Sequence, residues 1–372
     1  MHLKTRNVNS AFRTIVAGVK SGEIPTVATD SRAGKVLQVA EPVLVTYSNP
    51  RERVLFNSAR DANPFFHLFE ALWMLSGRQD VAPLAYYNSR MKDFSDDGRT
   101  FNGAYGYRWR KHFDVTDNSE EGPYIDQLDL LVKHLKENPA SRRAVLQMWT
   151  VEDDLLKVDT SKDVCCNLSV MFSLREIPWE YPNERQRRHT EEVTGYVPRH
   201  VLDMTVTNRS NDAIWGLLGA NYVHFSILQE YMAARLGVEV GQYHHFTNNL
   251  HFYTADGRWE PEKWLDDKGA ENAAYAMTGH PGKDIPLVSS DAFDKEVGRF
   301  VDRHGEDSIA TEFTEPFLQR VAQPMCVAFH HHKQRDYKAA LQAAHGIAAA
   351  DWQFVSVAWL TKRKETYEQG KR

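Results

Sequence analysis

Cysteine is scarce in this chain: three occur among 372 residues, Cys165, Cys166 and Cys326, two of them adjacent. That count excludes the disulfide framework that staples small extracellular domains, and a reducing cytoplasm is the simplest compartment. No apolar run approaches the roughly 20 residues of a membrane-crossing helix. The opening MHLKTRNVNSAF has no apolar stretch of a secretory signal. Neither a GxxxxGK[ST] nor a GxGxxG motif is present, which withdraws support from nucleoside triphosphate hydrolysis and from hydride transfer by a dinucleotide. Histidines cluster at 244–245 and 330–332, but no HExxH, CxxC or Cys/His quartet accompanies them. No metal is therefore expected, and FHHHK reads as a polar strand or loop end. The formal net charge of -5 gives no general affinity for a nucleic-acid backbone. Neither nucleic acid nor a membrane is an expected partner, so any bound phosphate must be met locally.

What is present is an ordinary globular mixture, 42% hydrophobic and 26% charged, long enough to bury a sizeable core. Apolar spacing predicts helices over 7–20, over PFFHLFEALWMLSG at 64–77, over 126–136 and over 221–236. VLQVAEPVLVTY at 36–47 reads as strand interrupted at Pro42. The runs at 144–150, 167–174, 200–208 and 243–253 are β-rich. From Thr254 to about Thr314 the chain is charged and loop-rich, and 336–363 reads as two amphipathic helices. The pattern is α+β: a central mixed sheet with helices around it. Residues 1–253 form the expected catalytic core, and 254–372 a helical extension packed on it.

Two features carry chemistry. Cys165-Cys166 stands immediately before the strand NLSVMFSL. A cysteine there is either a small buried hydrophobe or, with a cationic neighbour favouring thiolate, a nucleophile. Arginine pairs with a hydroxyl in SR at 31–32, SRR at 141–143 and NRS at 208–210. Arginine forks and serine hydroxyls grip phosphate, although each motif alone also fits surface ion pairs.

Taken in order, HLFEALWMLSG, GAYGYRWR, DQLDLLVKHLKENPASRRAVLQMW, the Cys166 strand, NRSNDAIWGLLGAN and HHFTNNLHFY resemble the thymidylate synthase superfamily, which includes the pyrimidine nucleotide hydroxymethylases. The resemblance spans roughly 64–253, with a weaker match around Arg32. It implies Cys166 as nucleophile, Arg209 beside the thiol on the substrate phosphate, and Ser210 as a second phosphate contact. Arg32 resembles the mobile phosphate-binding arginine, and Arg142 and Arg143 those that reach the neighbouring subunit's phosphate, which implies a homodimer. By the same resemblance Glu70 organises water and proton relay, Tyr105 lies near the C5 proton, and His251 and Tyr253 bind the sugar hydroxyl. Asp212 fits the aspartate on the folate pterin, and Asn221 the side chain that reads the pyrimidine edge.

The implied reaction is one-carbon transfer from 5,10-methylenetetrahydrofolate to C5 of a pyrimidine deoxynucleoside monophosphate. C5 is a poor nucleophile until a thiolate adds at C6, so covalent catalysis divides one hard step into easier ones. Hydride transfer would then leave a methyl group and dihydrofolate; water would leave a hydroxymethyl group and tetrahydrofolate. The chain departs from the usual thymidylate synthase pattern at several points. Asn167 follows the nucleophile where histidine is usual, and Asn208 precedes the Arg-Ser pair where glutamine is usual. LLGAN at 217–221 replaces LPFN with one residue more, Met91 stands where a folate-cleft tryptophan is usual, and the tail is longer. These departures resemble the phage-type hydroxymethylases, so hydroxymethylation of dUMP is the expected reaction, with dCMP next. Methylation of dUMP to dTMP is the alternative, and an inactive nucleotide-binding paralogue the alternative of another class. If phage-encoded, the enzyme would act in the host cytoplasm.

Overall fold

A computed structural model describes residues 1–31, 34–114, 124–177, 199–255, 258–267, 275 and 285–370. An eight-stranded mixed sheet forms its centre, in the path β1-β4-β8-β7-β6-β5 with β2 and β3 alongside. Its strands are β1 (His2–Thr5), β2 (Thr26–Ser31), β3 (Gly34–Val39), β4 (Val43–Tyr47), β5 (Val145–Gln147), β6 (Asn167–Ile177), β7 (Arg199–Asp212) and β8 (Glu239–Tyr253). Strand β8 runs parallel to β7 on one side. On the other, β4 pairs with its residues 243–247 and β3 with 251–253, both antiparallel. The expected break at Pro42 thus separates two strands, because proline cannot donate to the ladder.

Helices cover the sheet. Helix α1 (Val8–Ser21) begins where the Asn7 side chain accepts from the Ser10 N–H and ends at Gly22, whose φ of 81° suits glycine. Helix α2 (Pro64–Leu75) has proline in its first turn and the Asn63 side chain accepting from the Phe66 N–H. It buries eleven of twelve residues, so it is a core helix. Next come α3 (Val81–Tyr87), α4 (Tyr105–Arg110) and α5 (Gln127–Glu137). Helix α6 (Ala220–Leu236) crosses the inner face of the sheet with Tyr222, Phe225, Leu228 and Tyr231 fully buried.

Beyond β8 lie α7 (Pro261–Asp266), α8 (Phe293–Asp302), α9 (Gln323–Lys333), α10 (Tyr337–His345) and α11 (Ala350–Gln369). The last two are the two helices expected over 336–363, although the apolar and polar residues of α11 are not segregated to opposite faces. FHHHK, read above as strand or loop end, instead lies in α9. There the burial of Met325, Cys326, Ala328 and Phe329 sets the conformation, and the three histidines follow on the last turn. Phe329 and Trp359 both lie 5.5 Å from Phe65 of α2, centroid to centroid. The Tyr87 hydroxyl donates to the Cys326 sulfur at 2.9 Å. Burial pushes that thiol up to about 12, leaving it a neutral packing group. No helix among the described residues is long and apolar enough to cross a membrane.

Candidate active site

The segment before β6 is held from every side. The Cys165 N–H donates to Asp154 Oδ1 at 2.9 Å. Arg209, reaching across from β7, donates Nε to the Cys165 carbonyl and Nη2 to the Val164 carbonyl, both at 2.9 Å. The Arg209 N–H also donates to the Cys166 carbonyl at 3.0 Å. Asp154 is itself fixed by Arg108, whose Nη1 donates to it at 2.7 Å, with both side chains fully buried. Cys165 is fully buried, with burial raising its thiol well above the ordinary range, while Cys166 is only half-buried. Of the two adjacent thiols, Cys166 is therefore the one open to a substrate.

Tyr105 opens α4 and belongs to the same cluster. Burial raises its phenol well above the ordinary range, and Cys166 adds to that shift while the Arg209 cation opposes it. Gly106 explains how α4 comes so close to α2: a Cβ there would fall 2.0 Å from the Met74 carbonyl oxygen. The contact ties Tyr105 to the helix that carries Glu70. Glu70 Oε2 lies 2.9 Å from His224 Nε2 of α6, and both side chains are buried. Tyr253, at the end of β8, is raised by burial and then by Asp212, with a smaller contribution from Cys166. The His251 ring meets it edge-on at 5.3 Å, and His251 Nδ1 is 3.2 Å from Asn249 Oδ1.

Asp212 ends β7 and caps the turn at Ala213–Leu217 by accepting from the Trp215 N–H. Burial pushes its carboxyl up to about 6, against the opposing pull of its backbone donors and Arg60. Arg60 is buried, lies 4.1 Å over the ring of the exposed Trp215, and is lowered by burial to about 10. Asn221, at the start of α6, donates Nδ2 to Asn211 Oδ1 at 3.1 Å.

Cys166, Arg209, Tyr105, Tyr253 and Asp212 thus share one electrostatic neighbourhood. Ser210 follows Arg209 on β7 and is half-buried. Arg142 and Arg143 are exposed just before β5. Arg32 falls outside the described residues. A separate cavity of about 570 Å³, lined by Arg51, Glu52, Arg199 and Glu230 among others, contains none of the candidate site residues.

Several contributors were not singled out by reading the sequence. Asp154 and Arg108 fix the Cys165–Cys166 segment, yet they lie 46 positions apart with no local motif joining them. Arg60 and Trp215 meet only through the fold. Asn167 and Asn208, noted above only as departures, are register partners across β6 and β7, with Asn167 Nδ2 donating to Asn208 Oδ1 at 2.9 Å. Their pairing would have been visible by aligning the two strands on Cys166 and Arg209.

Comparison with known proteins agrees with this arrangement. The thymidylate synthase family model matches residues 57–278. A deoxyuridylate hydroxymethyltransferase of Pseudomonas phage M6 is 39% identical over 386 residues, covering 99% of this chain and 96% of that protein. One from Bacillus phage SP01 is 39% identical over 238 residues, covering 64% of this chain and 53% of its own. A thymidylate synthase of Streptococcus mutans is 27% identical over 184 residues, covering 47% and 56%. With the half-buried cysteine, the arginine that clasps the two carbonyls before it and the match across most of the sheet, the chain belongs to the thymidylate synthase family.

Proposed function

We propose that this protein transfers a one-carbon unit from 5,10-methylenetetrahydrofolate to C5 of dUMP and releases 5-hydroxymethyl-dUMP. The observation that carries the reading is the half-buried Cys166 thiol at the head of β6, with Arg209 clasping the two carbonyls before it. The phage relatives named deoxyuridylate hydroxymethyltransferase support the substrate and the product.

Cys166 adds to C6 of the pyrimidine, so that C5 gains the electron density to attack the one-carbon donor. Arg209 holds the nucleophile segment in place and keeps a cation beside the developing thiolate and the substrate phosphate. Ser210, with Arg32, completes the phosphate grip. Exposed Arg142 and Arg143 reach the phosphate held by a second copy, which makes the working unit a homodimer. His251 and Tyr253 hold the sugar hydroxyl. Tyr105, whose phenol keeps its proton, holds the water that takes the C5 proton, and Glu70 with His224 orders the proton relay. Asn221 reads the base. In this reading residues 1–253 carry the chemistry and 254–372 buttress α2.

The folate donor fits the groups around Asp212. The exposed face of Trp215 offers a stacking surface, Asp212 accepts from a pterin edge, and Arg60 meets an anionic tail. When bound, it supplies the carbon at the formaldehyde oxidation level. Incubation with dUMP and the donor tests the reaction class. The expected products are hydroxymethyl nucleotide and tetrahydrofolate. A methyl nucleotide with an absorbance rise from dihydrofolate would make the enzyme a thymidylate synthase instead. A faster reaction with dCMP would reassign the base, and no turnover of either would point to a nucleotide-binding paralogue.

A further inference from the structure

Asn221 is held by a chain of side chains that leads back into the sheet. Its Nδ2 donates to Asn211 Oδ1 at 3.1 Å. Asn211 Nδ2 lies 3.3 Å from His245 Nε2, and His245 Nδ1 lies 2.7 Å from the Tyr243 hydroxyl. Asn211, His245 and Tyr243 are all buried, His245 and Tyr243 completely. Burial pushes His245 down to about 3, so the ring is neutral and carries a single proton. In the tautomer that lets Nε2 accept from Asn211, that proton sits on Nδ1 and faces the Tyr243 oxygen. The space for Asn211 is made by Gly216, where a Cβ would fall 2.0 Å from Asn211 Oδ1.

We infer that Asn211 is a positioning residue that locks the carboxamide of Asn221 in one orientation and thereby sets the choice between uracil and cytosine. The inference rests on the proposed role of Asn221 at the base. Uracil presents a donor at N3 and an acceptor at O4; cytosine presents an acceptor at N3 and a donor at N4. A carboxamide turned over by half a revolution exchanges its oxygen and nitrogen, so the same asparagine would suit either base. Tying Nδ2 to Asn211 leaves Oδ1 and one N–H of Asn221 for the ligand, in a fixed order. While Asn211 keeps its Nδ2 on His245, turning the Asn221 amide over would bring two oxygens together and leave the Asn211 acceptor unpaired in a buried site, which is unfavourable.

Calorimetric titration of dUMP and dCMP into the full chain tests this, using wild type, N211A, N211D and N221A. In N211A the preference for dUMP over dCMP is expected to fall about tenfold, the equivalent of one buried hydrogen bond. N211D restores the preference, because a carboxylate oxygen still accepts from Asn221 Nδ2. Loss in N211A with recovery in N211D is a pattern that mere packing damage would not give. An unchanged ratio in N211A, while N221A abolishes discrimination, overturns the inference and leaves the base-reading role standing. Equal loss in N211A and N211D overturns it too, as a general effect of altering this position. An unchanged ratio in N221A removes the base-reading role itself, and the inference with it.

Discussion

Replacing Asp154 by alanine should unsettle the Cys165–Cys166 segment before it alters any other part of the candidate site. The Asp154 carboxylate accepts from Arg108 Nη1 at 2.7 Å and Nη2 at 3.3 Å, from the Thr150 N–H at 2.9 Å and from the Cys165 N–H at 2.9 Å. Both partners of the ion pair are fully buried. Removing the acid leaves a buried guanidinium whose remaining acceptors among the described residues are the Met148 and Asn102 carbonyls. Breaking a buried pair from one side costs about 3–5 kcal/mol. The buried Cys165 N–H, left without its acceptor, adds roughly 1 kcal/mol more. The sum, about 4–6 kcal/mol, approaches the whole stability of many proteins, roughly 5–15 kcal/mol. At about 2 °C per kcal/mol for a large chain, the melting temperature should fall by roughly 8–12 °C. Urea titration at constant slope measures the change directly, and the alkylation rate of Cys166 reports on the loosened segment. Asp154→Asn keeps one acceptor oxygen and should lose about half as much. An Asp154→Ala protein within about 1 kcal/mol of wild type would refute the reasoning that this pair fixes the Cys165–Cys166 segment.

Other expectations follow from single contacts. Arg209→Lys keeps a cation but loses the fork onto Val164 and Cys165, so kcat should fall roughly 100-fold or more while the fold persists; a loss under about threefold would contradict the positioning role. Trp215→Ala removes the exposed ring under Arg60 and should raise the KM for the folate about fivefold with nucleotide affinity unchanged. Asp351 is buried, its Oδ2 has no hydrogen-bond partner among the described residues, and burial pushes its carboxyl up to about 6. The unfolded chain therefore releases this proton first as pH rises from about 4, and wild type loses stability until about pH 6. Asp351→Asn should be about 1–3 kcal/mol more stable than wild type at pH 7 and show no gain at pH 4, checked by urea titration at both. Trp359→Ala, which empties the contact between α11 and Phe65, should cost about 3–5 kcal/mol, read from the denaturation midpoint.

The sheet and its covering helices were legible because their signals are local. Pro64 after Asn63, the apolar run through Leu75, and Gly22 and Gly237 at helix ends are all punctuation written in adjacent residues. The histidine run in α9 misled because its polar residues fall on the last turn, while the residues that decide the helix, Met325 to Phe329, precede them. At the site, the resemblance supplied residue types, and the structure added what spacing cannot carry. The sequence could name Cys166 beside Cys165 without saying which thiol is accessible; alternation at the head of β6 buries one and opens the other. Asp154, Arg108, Asn211 and His245 act through distances across the fold. Buried polar groups with long-range partners leave no period in the chain that brings them together.

Trapping the thiol tests the central claim most directly. Full-length protein is incubated with 5-fluoro-dUMP and 5,10-methylenetetrahydrofolate, digested, and its peptides are weighed. The fluorine cannot leave as a proton does, so the covalent complex should accumulate with nucleotide and folate attached to Cys166. No adduct in the active, folded protein, or an adduct on Cys165 in place of Cys166, would contradict it.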